Sequence, residues 1–411
     1  MRAFSEFAAE PGETSPMTRF NVLREGAVDA GIGALETCWS GSATFVFVPD
    51  KGVSDPWLNR AMSLIPPEFG EDCFGLLTSG STGEPKLILG NKARSAKLVR
   101  VLHELQDSGP VSATVCVLPL TYSYAFINQW LWAHVFEREL RVTRGFSEPD
   151  RLEEALAKSE RAALCMVGSQ VPLLRRFFPE SAFPGIIRLH FAGGRFPQEH
   201  LEFLRGRFPN AEIFNNYGCA EAMPRLTLRR AEDAPDASQV GRTLPGVEMK
   251  ADADKRLLFR SPYRAVAYID SDGFHQVSDE DWVPTGDLGE ELADGSWRLL
   301  GRANEVFKRY GEKISLPQLL ATVKGAWSGD AAFYREIDPS GEQACVLVLS
   351  PEPGQQELRD VLMALRKRHT RPHWPLRIES LDFMPLLPNG KPDIKGLSDA
   401  QHKRLHWRQR I

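Results

Sequence analysis

Ten residues, Leu77-Thr78-Ser79-Gly80-Ser81-Thr82-Gly83-Glu84-Pro85-Lys86, set hydroxyls, glycines and one cation directly after the apolar run Phe74 to Leu77. A loop of this composition can wrap a polyphosphate. Gly80 and Gly83 let the backbone approach phosphate oxygens and take positive φ, and the hydroxyls of Thr78, Ser79, Ser81 and Thr82 donate hydrogen bonds. Lys86 supplies a charge that pyrophosphate can recruit as it leaves. The spacing is not that of a Walker loop, which ends in Gly-Lys-Ser/Thr. The alternative for the run taken alone is a flexible surface turn, which its composition favours less than a phosphate loop.

Further along, Asn216-Tyr217-Gly218-Cys219-Ala220-Glu221 combines a ring suited to a flat base with a carboxylate suited to a hard cation. Trp282 to Gly289 holds Asp287, whose carboxylate can accept from both hydroxyls of a ribose. Gly301 to Ile314 carries Arg302, Lys308 and Gly311 in a charged run, and Leu387-Pro388-Asn389-Gly390-Lys391-Pro392-Asp393 sets Lys391 in a turn. Each of these segments by itself is an ordinary corner, turn or solvated face.

Together and in this order, the five segments resemble the motifs of the adenylate-forming superfamily, which contains acyl- and aryl-CoA synthetases, nonribosomal-peptide adenylation domains and luciferases. The resemblance implies a phosphate loop at 78 to 86, Tyr217 stacked on adenine, Glu221 holding Mg²⁺, Asp287 on the ribose, and Arg302 on ribose or phosphate. It further implies a hinge near Asn304, where the family usually has Asp or Lys, with Lys308 and Gly311 serving the second half-reaction and Lys391 the adenylation step. Ala220 stands where Thr is usual, and Ala220-Glu221-Ala222 is similar to the fatty acyl-AMP ligases. Weaker matches add Gly193, Gly194, Asn216 and Gly218 around the nucleotide, with Tyr122, Ser169 and Gly193 on the acyl pocket. The cluster Tyr122, Tyr124, Phe126, Trp130 and Trp132 reads as pocket lining or as core.

Apolar and amphipathic runs alternate from about residue 70, the pattern of an α/β domain with a largely parallel sheet. Buried strands are expected at Ala113 to Leu118, Ala162 to Val167, Ile186 to Phe191 and Glu212 to Phe214. Helical spacing covers Asp150 to Lys158, Val171 to Phe178 and Gln198 to Phe208. Leu118 to Val135 is broken by Ser123, Asn128, Gln129 and His134, so it reads as buried structure and not as a membrane span. Arg256 to Ile269 and a hairpin over Glu290 to Leu300 predict a small β subdomain. A strand at Ala344 to Leu349 and a helix at Glu357 to Arg368 follow. The expected domains are an adenylation core over 1–303 and a small, mobile α+β lid over 304–411. The resemblance spans about residues 70 to 400 and implies a shortened first subdomain.

A net charge of -4 carries no basic footprint for nucleic acid or anionic lipid. The six cysteines show neither zinc spacing nor a disulfide framework, in keeping with a reducing cytoplasm. The resemblance therefore implies an enzyme using ATP and Mg²⁺ to convert a small carboxylic acid to an acyl-AMP. Its acceptor would be a thiol, either CoA or the phosphopantetheine of an acyl carrier protein. An amine or hydroxyl acceptor, or a nucleotide-binding module without catalysis, stand as alternatives.

Overall fold

The computed structural model describes residues 20–26, 32–79, 85–386 and 392–409, with only the backbone of Asn304. Among these, the strands form a six-stranded sheet, an eleven-stranded sheet, a two-stranded hairpin and a four-stranded sheet.

One end of the eleven-stranded sheet is parallel, in the order Glu139–Val142 at the edge, Ala113–Cys116, Ala162–Met166, Ile186–Phe191 and Glu212–Tyr217. Ala162–Met166 is buried at every position, as expected of a strand covered on both faces. The helices Pro149–Ala157, Val171–Phe177 and Leu201–Arg207 connect these strands. Leu201–Arg207 is shorter than its periodicity predicts, because Gln198–His200 tightens into a 3₁₀ turn after Pro197. Glu212–Tyr217 is longer than the apolar run, since Asn215 and Asn216 continue the strand as buried polar residues.

Antiparallel strands extend the same sheet through Thr227–Arg230, Gln239–Thr243 and Trp297–Arg302 to Val283–Glu291, Arg256–Arg260 and Glu248–Ala251. The β-rich region found in the sequence is divided between two sheets, for the hairpin Ala267–Asp270/Gly273–Gln276 joins the six-stranded sheet against Pro85–Asn91. That pairing carries residues from late in the chain to the phosphate-loop hairpin, where Cys73–Ser79 runs antiparallel to Pro85–Asn91.

The stretch Leu118 to Val135 is buried as a short helix Ser123–Ala125, a π-helical turn Phe126–Leu131 and a helix Trp132–Val135. Phe126, Trp130 and Phe74 pack ring on ring beneath it, with Phe74 and Phe126 centroids 4.9 Å apart. Tyr124, Phe126, Trp130 and Trp132 are thus largely core, and Tyr122 is half-buried.

From Val306 onward the chain builds its own sheets and its own core of Phe307, Ile314, Leu319, Phe333, Leu347 and Val361. The helix Gln355–Arg368 and strand Gln343–Ser350 occupy the expected positions. Among the described residues no helix is long and apolar enough to cross a membrane.

Candidate active site

Two polar clusters meet where the parallel strands end. The first joins the phosphate-loop hairpin to the segment after Glu212–Tyr217. Lys86 is the register partner of Thr78 and donates from Nζ to Glu221 Oε1 over 2.9 Å. Its ammonium also lies 3.8 Å from the centroid of the Tyr268 ring, a cation–π contact. Glu221 sits on the 3₁₀ turn Ala220–Ala222 and is fixed from behind, because the Ala265 amide donates to its carbonyl over 2.8 Å.

The second cluster centres on Asp287. Tyr217 Oη donates to Asp287 Oδ2 over 2.8 Å, and Arg302 Nε lies 3.0 Å from Oδ1. The register Asp287↔Arg302 places both on facing strands, and the Asp287 amide is held by Thr285 Oγ1 at 3.0 Å. Burial, and then the Asp287 carboxylate, raise the Tyr217 phenol well above its usual value, so it stays a donor. Cys219 links the clusters. Its thiol is raised by burial first, then by the Glu221 and Asp287 carboxylates, with Arg302 opposing. One short segment therefore feels charged groups of both clusters, Glu221 from the first and Asp287 and Arg302 from the second.

Close packing fixes this segment. A side chain at Gly218 would place its Cβ 2.2 Å from the Pro224 carbonyl oxygen, so only glycine lets the chain fold back on itself there. Gly193 takes φ +75 beside the exposed Gly194, and Gly168 packs so tightly that a Cβ would meet the Arg195 carbonyl at 2.5 Å. Ser169, Gly193 and Gly194 therefore lie on neighbouring loops at the same strand ends. The Asn216 amide is engaged within the protein: Nδ2 donates to the Phe191 carbonyl at 3.1 Å, and Oδ1 accepts from Gln106 Nε2 at 3.1 Å. It joins two strand ends and a helix terminus, which makes it a positioning residue in this state.

Other expected residues stand elsewhere. Lys308 and Gly311 belong to the hairpin Val306–Arg309/Glu312–Ser315, whose Phe307 and Ile314 pack into the C-terminal core. Gly80, Ser81, Thr82, Gly83 and Lys391 lie outside the described residues, while Thr78 and Ser79 end the first strand of the phosphate-loop hairpin. Tyr268, Thr285 and Gln106 were not singled out from the sequence. Tyr268 and Gln106 reach the site from a distant strand and helix end, whereas Thr285 lies two residues before Asp287 on the same strand.

The site fits a divalent cation of the magnesium kind in one respect. Among the described residues no group of three or more His, Cys, Asp or Glu could cage a metal. Magnesium, however, is commonly held by one or two carboxylates plus substrate phosphates. Glu221, beside the phosphate-loop hairpin, offers that single carboxylate.

A 2-hydroxy-7-methoxy-5-methyl-1-naphthoate–CoA ligase of Streptomyces carzinostaticus is 24% identical over 345 residues, covering 79% of this chain and 61% of that protein. The D-alanine–D-alanyl carrier protein ligase of Streptococcus pneumoniae is 26% identical over 410 residues, covering 87% of this chain and 78% of its own. The chain thus spans less than two thirds of the first of these relatives. In fold it is similar to the o-succinylbenzoate CoA synthetase of Bacillus subtilis solved with its acyl-adenylate intermediate. That match has a TM-score of 0.74 at 16% identity and covers 93% of this chain and 88% of that one. The McyG adenylation and carrier protein, solved with phenylalanyl-adenylate, has a TM-score of 0.71 at 17% identity, covering 92% and 84%. The family described as AMP-binding enzyme matches residues 51–258, half of the chain, with Lys86, Tyr217 and Glu221 inside the match, and the protein belongs to it.

Proposed function

We propose that the protein is an AMP-forming acid–thiol ligase: it activates a small carboxylic acid as acyl-AMP with release of pyrophosphate, then passes the acyl group to a thiol. The observation that carries this reading is the meeting of Lys86, Glu221, Tyr217, Asp287 and Arg302 at one set of strand ends. In open α/β sheets that edge is where ligands bind.

In the first step a carboxylate oxygen of the acid bonds to the α-phosphorus of ATP as the bond to the pyrophosphate oxygen breaks. The work of the protein is positioning and charge dispersal, with no proton to move. Asp287 receives the ribose hydroxyls, Arg302 closes over them, and Tyr217 presents its ring to the base. Lys86 meets the departing pyrophosphate. Glu221 would hold Mg²⁺, which supplies charge neutralisation at the phosphates. Lys391 steadies the oxygens gaining charge between acid and α-phosphate.

In the second step a thiolate attacks the acyl-AMP carbonyl, AMP leaves, and a thioester remains. We assign residues 304–411 as a lid that rotates near Asn304, withdraws Lys391 and brings the Lys308 and Gly311 hairpin to the site. The separate core that starts at Phe307 supports this division. A CoA ligase and a carrier protein ligase among the relatives support a thiol acceptor, free or carrier-bound.

The test is acid-dependent exchange of labelled pyrophosphate into ATP over a panel of acids, with Lys391→Ala alongside. Exchange that vanishes in the variant supports the reading. ATP binding with no exchange by any acid would sink it. Product analysis with CoA, a phosphopantetheinylated carrier and simple amines separates the acceptors.

A further inference from the structure

Arg225 is the most deeply buried cation near the site: its side chain is fully enclosed, at 0% exposure. Among the described residues no carboxylate reaches it. Nε donates to Asn128 Oδ1 over 2.9 Å and Nη2 donates to the same oxygen, while the guanidinium lies 5.0 Å from the centroid of the Tyr124 ring. Nη1 has no hydrogen-bond partner. One more buried polar atom nearby shares that condition, His190 Nδ1, while the Tyr124 hydroxyl interacts with both Arg225 and Cys165. A guanidinium taken out of water without a countercharge costs several kcal/mol, roughly, and buried donors in folded proteins nearly always find an acceptor. Two orphaned polar atoms in one enclosed place, on Arg225 and His190, mark the outline of an acceptor that arrives with a ligand.

The place is continuous with the nucleotide site. Arg225 follows Glu221 by four residues, its amide donates to the Ala222 carbonyl at 3.1 Å, and the next amide, of Leu226, donates to the Tyr217 carbonyl at 2.8 Å. Tyr217, Asp287 and Arg302 lie on the antiparallel side of this segment. Arg225 faces the other way, toward the π-helical turn Phe126–Leu131, which carries Asn128, and toward Tyr124 at its start. The buried strand residues Cys165 and His190 complete the surroundings, both within electrostatic reach of the guanidinium. Asn128 is partly exposed, so the enclosure opens beside it. π-turns inside helices are frequent at functional sites, because they re-aim side chains.

Building on the ligase reading, we propose that Arg225, with Tyr124 and His190, receives an oxygen acceptor at the far end of the acid substrate. The shared chemistry is an oxygen with free lone pairs: a hydroxyl, as on a phenol or ω-hydroxy acid, or a second carboxylate. An acid ending in bare hydrocarbon leaves the guanidinium without its acceptor and binds poorly for that reason.

The experiment is pyrophosphate exchange on the full chain with matched acids: benzoate, 4-hydroxybenzoate and terephthalate, then hexanoate, 6-hydroxyhexanoate and adipate. Within at least one set, an oxygen-bearing member should show an acid KM about tenfold or more below its unsubstituted parent. Whether the hydroxyl or the carboxylate arm leads identifies the group. In Arg225→Met that ratio should shrink below threefold through acid KM, with the KM for ATP little moved. Arg225→Lys should restore part of it. Thermal stabilisation of the unsubstituted wild-type chain by each acid with ATP gives the same ranking without any variant, should Arg225→Met fail to fold. Exchange with equal KM for parent and oxygen-bearing acids overturns this inference and leaves the ligase reading standing. Exchange with no acid at all overturns both.

Discussion

Lys86 and Glu221 are bound to each other, Nζ to Oε1 at 2.9 Å, with side chains only 21% and 19% exposed. The cation assigned to pyrophosphate and the carboxylate assigned to magnesium thus neutralise one another when no nucleotide is present. On the proposed roles, a bound magnesium nucleotide would separate them, with the Tyr268 ring under the ammonium as a second attraction for Lys86. Glu221→Gln should lower kcat for pyrophosphate exchange by about 10²-fold, the usual loss for an electrostatic group at developing charge. It should also raise the magnesium concentration for half-maximal rate. Lys86→Met should lower kcat but shift that half-maximal magnesium downward, because the carboxylate no longer has a competing cation. A magnesium titration of both variants checks the opposite signs.

Asp287 accepts from Tyr217 and pairs with Arg302, so replacing its carboxylate by an amide removes the charge and one of the two acceptor oxygens. Hydrogen bonds to a charged group contribute about 1.5–3 kcal/mol. Asp287→Asn should therefore raise the KM for ATP by roughly 10- to 100-fold. Tyr217→Phe removes one neutral donor and keeps the ring, and should cost less than tenfold. Steady-state kinetics at saturating acid compares the two.

Gly218 tolerates no side chain because the Pro224 carbonyl stands 2.2 Å from where Cβ would be. Gly218→Ala must push apart the fold-back that carries Cys219 to Arg225. A loss of about 1–3 kcal/mol in stability is expected, as for other overpacked sites, visible as a lower Tm. Exchange activity should fall further than stability alone explains, since Glu221 rides on the same segment.

His190 is buried against Phe214, and its pKa is pushed down to about 3 by burial first and by the nearby Arg225 and Arg188 charges. The unfolded chain takes up a proton near pH 6.5, whereas the folded protein holds this ring neutral until about pH 3. Below pH 6.5 the unfolded state binds more protons, so folding stability falls as pH is lowered through that window. One such group contributes a slope of up to about 1.4 kcal/mol per pH unit. Denaturant titrations from pH 7 to pH 4 should show a shallower slope in His190→Phe than in the parent chain.

Much of the architecture was legible without coordinates. The runs at Ala162 and Ile186 announced buried parallel strands because a strand covered on both faces must be apolar throughout. Asn215 and Asn216 hid the end of Glu212–Tyr217, for their polarity is satisfied by partners 24 and 25 residues away. The π-turn over Phe126–Leu131 was invisible, since its residues do not differ in kind from those of a buried helix.

From the residues themselves came the set of chemically able groups, because a glycine-hydroxyl loop, an aromatic–glycine–carboxylate segment and a turn-borne aspartate keep their chemistry wherever they lie. Only the tertiary structure decided which of them share a charge. The Lys86–Glu221 and Tyr217–Asp287–Arg302 contacts join positions 135, 70 and 15 residues apart. The enclosure of Arg225 likewise depends on Asn128, 97 residues away. Burial and pairing at such separations are set by sheet register and packing, quantities that no local window of sequence contains.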